Sequence, residues 1–140
     1  MKDFGYCIWL VSNDENNVWE FKEKGFKTHL TIFKNLSYSA SIKLFLSLEK
    51  QSIILEKKSL PKPIQDDGFY SLQYPIYFSD LNKTKKPGWW PNDAHISINY
   101  NYDEPFLKVK DNLNLPDKCE FNDIVLMKCI GHYSKWEKIL

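Results

Sequence analysis

The chain has 140 residues, and its 19 basic residues are all lysines, set against 18 acidic ones. The resulting net charge of +1 excludes binding of long duplex nucleic acid by bulk positive charge, because domains that bind in this way are strongly basic. Without arginine there is no bidentate guanidinium fork, so an anion must be bound by lysine, histidine, hydroxyls or main-chain amides. The longest apolar runs are far shorter than a membrane span, which needs about 20 residues.

The cysteines and the N-terminus indicate where the protein acts. Cys7, Cys119 and Cys129 are odd in number and lack C-x-x-C spacing, so they are interpreted as buried free thiols in a reducing compartment. The first residues lack the apolar stretch of a signal peptide. We therefore expect a cytoplasmic protein, or one of a host cytosol if it is viral, that is monomeric and makes no membrane contact. The length predicts a single domain over residues 1–140.

Apolar periodicity and start and stop signals predict the elements in chain order. They are a strand at 5–12, a helix at 14–24, a strand at 28–33, a helix at 39–48, strands at 52–60, 69–78 and 95–101, and a closing hairpin of 123–130 and 133–140. The Pro- and Asp-rich run 61–68 predicts a turn. In the second helix, Ile42, Phe45 and Leu46 are predicted core positions. This order predicts an α+β fold with helices packed on antiparallel sheet.

Two of the predicted strands carry the same pattern of histidine, apolar residue, hydroxyl and apolar residue. The first is HLTI, from His29, and the second is HISI, from His95. Because successive side chains of a strand face opposite sides, His29 shares a face with Thr31, and His95 shares a face with Ser97. Imidazoles can act as general base and general acid near neutral pH, since the ordinary pKa of histidine is about 6.5. Hydroxyls can donate to phosphate oxygens, so the set suits phosphodiester cleavage.

Each half of this pattern is weak when taken alone. The third histidine also satisfies it, in His132-Tyr133-Ser134, but lies beside a glycine at a predicted turn. A metal site is the other interpretation of paired histidines, yet metal sites usually need three or four ligands, and the nearest carboxylate is Asp93. We therefore expect neither a metal nor another cofactor. Two ordinary half-buried strands with polar faces remain the simplest alternative.

The two motifs resemble those of the 2H phosphoesterase superfamily, which includes 2′-5′ RNA ligase-like proteins, cyclic phosphodiesterases and 2′,5′-oligoadenylate phosphodiesterases. The order of elements and the closing hairpin extend the resemblance over nearly the whole chain. It implies a bilobal fold of two antiparallel sheets, related by a pseudo-twofold axis around a central cleft, with helices on the outer faces. It also implies that His29 and His95 are the acid and base, and that Thr31 and Ser97 bind phosphate.

Aromatic and basic residues are candidates for holding the rest of a substrate. Tandem tryptophans beside lysines in a Pro/Gly loop suit base stacking and phosphate attraction. On the first strand only one of Tyr6 and Trp9 can face the cleft, and the sequence does not decide which. Tyr133 and Trp136 are interpreted as packing residues. The candidate substrate-binding residues are Trp89, Trp90, Lys86, Phe33 and Tyr6.

The expected function is metal-independent cleavage of a 2′-linked or 2′,3′-cyclic phosphodiester in a small nucleotide or short oligonucleotide. The candidate substrates are 2′,5′-oligoadenylate, a 2′,3′-cyclic phosphate and a cyclic dinucleotide with a 2′ linkage. Two alternatives remain: a nucleotide- or RNA-binding module that uses the same cleft without turnover, and a protein-interaction domain whose contact is the Trp89–Trp90 loop. The sequence does not determine which histidine is the base.

Overall fold

The computed structural model describes residues 3–13, 19, 28–66, 68–101 and 116–140. The predicted helix at 14–24 therefore lies outside the described residues except for Trp19, which is fully buried and donates its indole N–H to the Pro116 carbonyl at 2.9 Å. The described elements are β1 Gly5–Val11, β2 His29–Leu36, α1 Tyr38–Ser47, β3 Ile53–Lys57, β4 Lys62–Asp66, β5 Phe69–Phe78, β6 His95–Asn101, β7 Lys118–Phe121, β8 Asp123–Cys129, the 3₁₀ helix Tyr133–Lys135 and β9 Glu137–Lys138. In these ranges no helix is long and apolar enough to cross a membrane.

The strands form one nine-stranded sheet in the order β7-β3-β5-β6-β2-β1-β8-β9, with β4 beside the first half of β5. Every described pairing is antiparallel. The prediction of an α+β fold built on antiparallel sheet is thus confirmed. Pairing of β2 with β6 at Leu30 and Ile96 joins the two halves of the sheet. The two strands that carry the histidine motifs are therefore neighbours at its centre.

One predicted turn is instead a strand. Within the run 61–68, Lys62–Asp66 form β4, which pairs with Phe69–Gln73 of β5. Proline was one of the signals for a turn, because it has no N–H to donate to a neighbouring strand. Among the described strands β4 pairs only with β5, so it is an edge strand, and the missing N–H of Pro63 is tolerated there. The predicted closing hairpin is present, although its second arm is shorter than expected. A 3₁₀ helix occupies its first residues, and only Glu137–Lys138 pair with β8.

Both faces of the sheet are covered by side chains. On one face the larger core cluster joins residues of β1, β2, β3, β5 and β6 to Trp19, with α1 packed against it. On the other face, Cys7, Trp9 and Val11 of β1 pack against β8. β1 is therefore buried on both faces, which explains its unbroken apolar run. Cys7 and Cys129 are buried free thiols as predicted, whereas Cys119 is half-buried.

Helix α1 corrects one of the core predictions. Ser37 caps its first turn, with its hydroxyl accepting from the Ala40 N–H at 3.3 Å. Ile42 and Phe45 are half-buried against the core, but Leu46 is 73% exposed. The reason is the helical turn: Ser41 is the buried centre of the packed face, and Leu46 lies about 140° around the axis from it at 3.6 residues per turn.

Candidate functional site

The sheet register brings the two motifs into one cluster. Because β2 and β6 are antiparallel and Leu30 pairs with Ile96, His29 lies opposite Ser97, and Thr31 lies opposite His95. The two histidines are diagonal neighbours, for which the Cα separation is about 7–8 Å. Leu30 and Ile96 are buried in the core on one face, so the four polar residues project from the other. All four line a single cavity of about 570 Å³.

His95 is oriented by its own main chain. Its Nδ1 lies 2.7 Å from the Asp93 carbonyl oxygen. A carbonyl can only accept a hydrogen bond, so Nδ1 carries the proton, and Nε2 bears the lone pair in the neutral ring. Burial lowers the pKa of His95 below its ordinary value, and the positive charge of Lys34 lowers it further, against the opposing effect of the Asp93 carbonyl. The neutral imidazole favoured in this way is the form that acts as a general base.

His29 has a different environment. It is only 4% exposed, and its ring is stacked on the indole of Trp9, with centroids 3.4 Å apart and planes inclined by 6°. Trp9 pairs with Thr31 across β1 and β2, and its side chain lines the cavity. The stacking on Trp9 therefore fixes the plane of the His29 imidazole in the wall of the cavity.

Trp9 rather than Tyr6 faces the cavity, which settles the choice that the sequence left open. Tyr6 packs instead against the larger core cluster and meets the ring of Tyr38 on α1 edge-on, with centroids 5.4 Å apart. Tyr6 is not among the residues that line the cavity. Its predicted contact with substrate is therefore not supported by its position.

An irregularity in β2 changes which residue follows the first motif on the cavity face. Trp9 pairs with Thr31, but Ile8 pairs with Phe33, so β2 has one extra residue at this point. Such a bulge reverses the alternation beyond it. Ile32 and Phe33 consequently both contact the core, and Lys34 lines the cavity where strict alternation predicted Phe33. The sequence carried no signal for this bulge.

The loop with the tandem tryptophans lies beside the cavity, not in it. Trp89 and Trp90 are half-buried and pack against the larger core cluster, and Trp90 meets Phe78 edge-on at 5.5 Å. Trp90 and Lys86 line a second cavity of about 390 Å³. This second cavity shares Lys58, Asn92 and Ala94 with the first. Among the described residues, the tryptophan loop thus contributes no side chain to the histidine cavity.

Several cavity residues were not identified from the sequence. Lys58 and Lys62 add positive charge, and Lys62 belongs to the strand that was predicted as a turn. Gln73 pairs with Ser97 and donates from Nε2 to the Ser71 hydroxyl at 2.7 Å. Alternation along β5 could have placed Ser71 and Gln73 on one face, but only the pairing of β5 with β6 brings that face to the histidines. Three further lining residues that were not identified form an aromatic end of the cavity: Phe4, Phe69 and Trp136.

The third histidine has a structural role. His132 precedes the 3₁₀ helix, and its Nδ1 accepts from the Ser134 N–H at 3.1 Å and lies 2.8 Å from the Ser134 hydroxyl oxygen. It does not line the histidine cavity. The third occurrence of the H-x-[ST] pattern is therefore a helix cap, in which the residue two positions after the histidine supplies the capped N–H.

The polar side chains that line the cavity are imidazoles, hydroxyls, lysines, amides and the two carboxylates of Asp66 and Asp93. Within the described ranges, no group of three His, Cys, Asp or Glu side chains lies close enough to bind a metal ion. Comparisons of the chain with protein-family models, with curated proteins and with solved structures find no match in any of the three. Any assignment of function therefore depends on the geometry of this cavity.

Proposed function

We propose that the protein is a metal-independent phosphodiesterase that cleaves a 2′-linked or 2′,3′-cyclic phosphodiester in a small nucleotide or short oligonucleotide. The observation that carries the proposal is the meeting of two imidazoles and two hydroxyls, from adjacent strands, in one cavity that three lysines also line. In this proposal the sheet consists of two lobes related by a pseudo-twofold axis, with β2 and β6 as the innermost strand of each, where the two lobes meet. The enzyme acts in the cytosol as a monomer.

The environment of His95 favours one division of roles, in which His95 is the base and His29 is left as the acid. His95 accepts a proton at Nε2 from a water molecule or a ribose hydroxyl as that oxygen attacks phosphorus. The bond from phosphorus to the leaving oxygen breaks, and His29 donates its proton to that oxygen. Thr31 and Ser97 donate to the non-bridging oxygens, while Lys34 offsets their negative charge. Both histidines then return to their starting protonation states by exchange with solvent.

The state of His95 favours catalysis over binding alone. A protein that only bound a nucleotide would gain most from a charged imidazolium against the phosphate. Burial and Lys34 instead lower the pKa of His95 and favour the neutral ring. A neutral ring with Nε2 as its acceptor is a poorer ligand for an anion, and it is the form required of a base. The packing of Trp89 and Trp90 against the core also gives little support to a protein-interaction loop.

The test is a product analysis in the presence of EDTA. The protein is incubated with 2′,5′-linked oligoadenylate, with 2′,3′-cyclic AMP and with a 2′,3′-linked cyclic dinucleotide, and the products are identified by chromatography. We expect cleavage of at least one of these, and strongly reduced cleavage by His95→Gln, with thermal unfolding used to show that the variant is folded. Absence of cleavage by the wild-type protein, or a requirement for added metal, would refute the proposal.

A further inference from the structure

The histidine cavity has an aromatic end that the proposed chemistry does not use. Phe4, Phe69 and Trp136 contact one another there, with centroids separated by 5.2 Å for the two phenylalanines, 5.7 Å for Phe4 and Trp136, and 6.4 Å for Phe69 and Trp136. All three line the cavity. Phe69 is buried, whereas Phe4 and Trp136 are half-buried. This cluster therefore forms a wall of the cavity as well as part of the packing.

The aromatic wall is continuous with the histidine cluster. Trp9 stacks on His29 and meets Trp136 with ring centroids 6.2 Å apart. The indole of Trp9 thus contacts both the imidazole of His29 and the indole of Trp136. Lys34, Lys58 and Lys62 also line the cavity. The cavity accordingly combines groups for a phosphate with an adjoining aromatic surface.

We propose that Trp136 is the stacking platform for a nucleobase of the substrate, with Phe4 and Phe69 supporting the indole. This inference rests on the proposed function, since it places the scissile phosphate at the histidines. Aromatic side chains contribute strongly to the binding of unpaired bases, and they are tolerant of base identity because every base has a π face. The platform selects substrates that carry a base beside the phosphodiester over those that carry only sugar and phosphate.

His132 is a positioning residue for this platform. The hydrogen bond from Ser134 to His132 caps the 3₁₀ helix, and Trp136 follows that helix directly. The main-chain N–H of Trp136 donates to the Tyr133 carbonyl at 3.2 Å. The Trp136 indole N–H donates to the Gly131 carbonyl at 3.1 Å. Gly131 has a φ of +80°, a value that favours glycine. The position of the Trp136 ring is therefore determined by the His132 cap, by the turn at Gly131 and by the indole hydrogen bond to the Gly131 carbonyl. Loss of the cap displaces the platform without removing an aromatic group from it.

The test is equilibrium binding to the full chain in EDTA, measured by calorimetry with AMP and with ribose 5-phosphate, which has the same phosphate and no base. We expect the wild-type protein to bind AMP more tightly. Trp136→Leu keeps an apolar side chain and removes the ring, so it should weaken AMP binding by roughly tenfold to a hundredfold. Ribose 5-phosphate binding should stay within about twofold, and Trp136→Phe should restore most of the difference. As a control, Tyr38→Ala removes an exposed aromatic that does not line the cavity, and it should change neither affinity.

Two variants of His132 test whether its cap positions the platform. His132→Ala should weaken AMP binding selectively, and His132→Asn should recover it, because asparagine is a good cap residue. Equal losses for both ligands, equal affinities of the wild-type protein for both, or no effect of Trp136→Leu would overturn the platform. Because no turnover is measured, the two proposals fail separately. Selective AMP binding without hydrolysis refutes the phosphodiesterase alone, and hydrolysis with unselective binding refutes the platform alone.

Discussion

The two central strands carry the same sequence pattern, but they give their histidines different surroundings. On β2, His29 is buried beneath the indole of Trp9. On β6, His95 is half-buried, is hydrogen-bonded to the Asp93 carbonyl, and has a pKa lowered by burial and by Lys34. The neutral ring favoured at His95 suits the base of the proposed reaction, which leaves His29 as the proposed acid. The comparison teaches that neighbouring elements, rather than the motif itself, determine the surroundings of each imidazole.

The register sharpens the same comparison. Each hydroxyl lies opposite the histidine of the other strand: Ser97 opposite His29, and Thr31 opposite His95. The chemical unit is therefore the pair of strands, and neither motif forms half of the site by itself.

Replacing either histidine should have the largest effect. We expect His29→Gln and His95→Gln each to lower kcat by about 10²- to 10⁴-fold, since each removes one proton transfer. The pH profile of the residual rate should differ between them. His95→Gln should lose the acidic limb, and His29→Gln the basic limb, as measured by kcat/KM across pH. Loss of the same limb in both variants, or the reverse assignment, would contradict the division of roles.

Replacing the hydroxyls should have the next largest effect. Thr31→Val and Ser97→Ala each remove a hydrogen bond to a charged phosphate oxygen, which contributes about 1.5–3 kcal/mol. We expect kcat/KM to fall roughly 10- to 150-fold in each, with the pH limbs unmoved. Steady-state kinetics on the substrate identified by the product analysis measures this. A change below twofold in either variant would mean that its hydroxyl makes no contact with the phosphate.

Lys34→Gln should have a smaller effect and should act through His95. Removing the positive charge raises the pKa of His95, because the protonated ring is no longer repelled. The rate rises as His95 loses its proton, so the acidic limb of kcat/KM should move to higher pH, and KM should rise. Lys43→Gln is the matched control, since Lys43 is exposed on α1 and does not line the cavity. An acidic limb that stays in place in Lys34→Gln would show that this lysine does not act on His95.

Phe33→Leu should have the smallest effect on catalysis. Its side chain packs against the core because of the bulge in β2, so KM and kcat should be unchanged. The free energy of unfolding, measured in urea, should fall by about 1 kcal/mol, as for an ordinary loss of packing. A large rise in KM would instead place Phe33 on the cavity face and would contradict the bulge.

Much of the fold was readable from local patterns, and the errors have specific causes. Alternation located β2 and β6, because the side-chain period of a strand is a property of consecutive residues, and aromatic and β-branched content located β1. β4 was missed because Pro63 is a breaker in the middle of a sheet and is tolerated at an edge, which depends on what lies beside it. Leu46 was predicted to be in the core from its helical spacing. It is exposed because the elements beside a helix, and not its own sequence, determine which face packs.

The candidate site divides in the same way. Sequence alone determined that His29 shares a face with Thr31, and that His95 shares one with Ser97, since alternation is local. Only the tertiary structure decided that β2 and β6 are adjacent, that Trp9 faces the cavity, and that a bulge presents Lys34. These follow from pairing between strands far apart in the chain, and a shift of one residue exchanges the faces. The cations that line the cavity are therefore Lys34, Lys58 and Lys62. Because every basic residue of the chain is a lysine, residue type alone could not distinguish these three from the others.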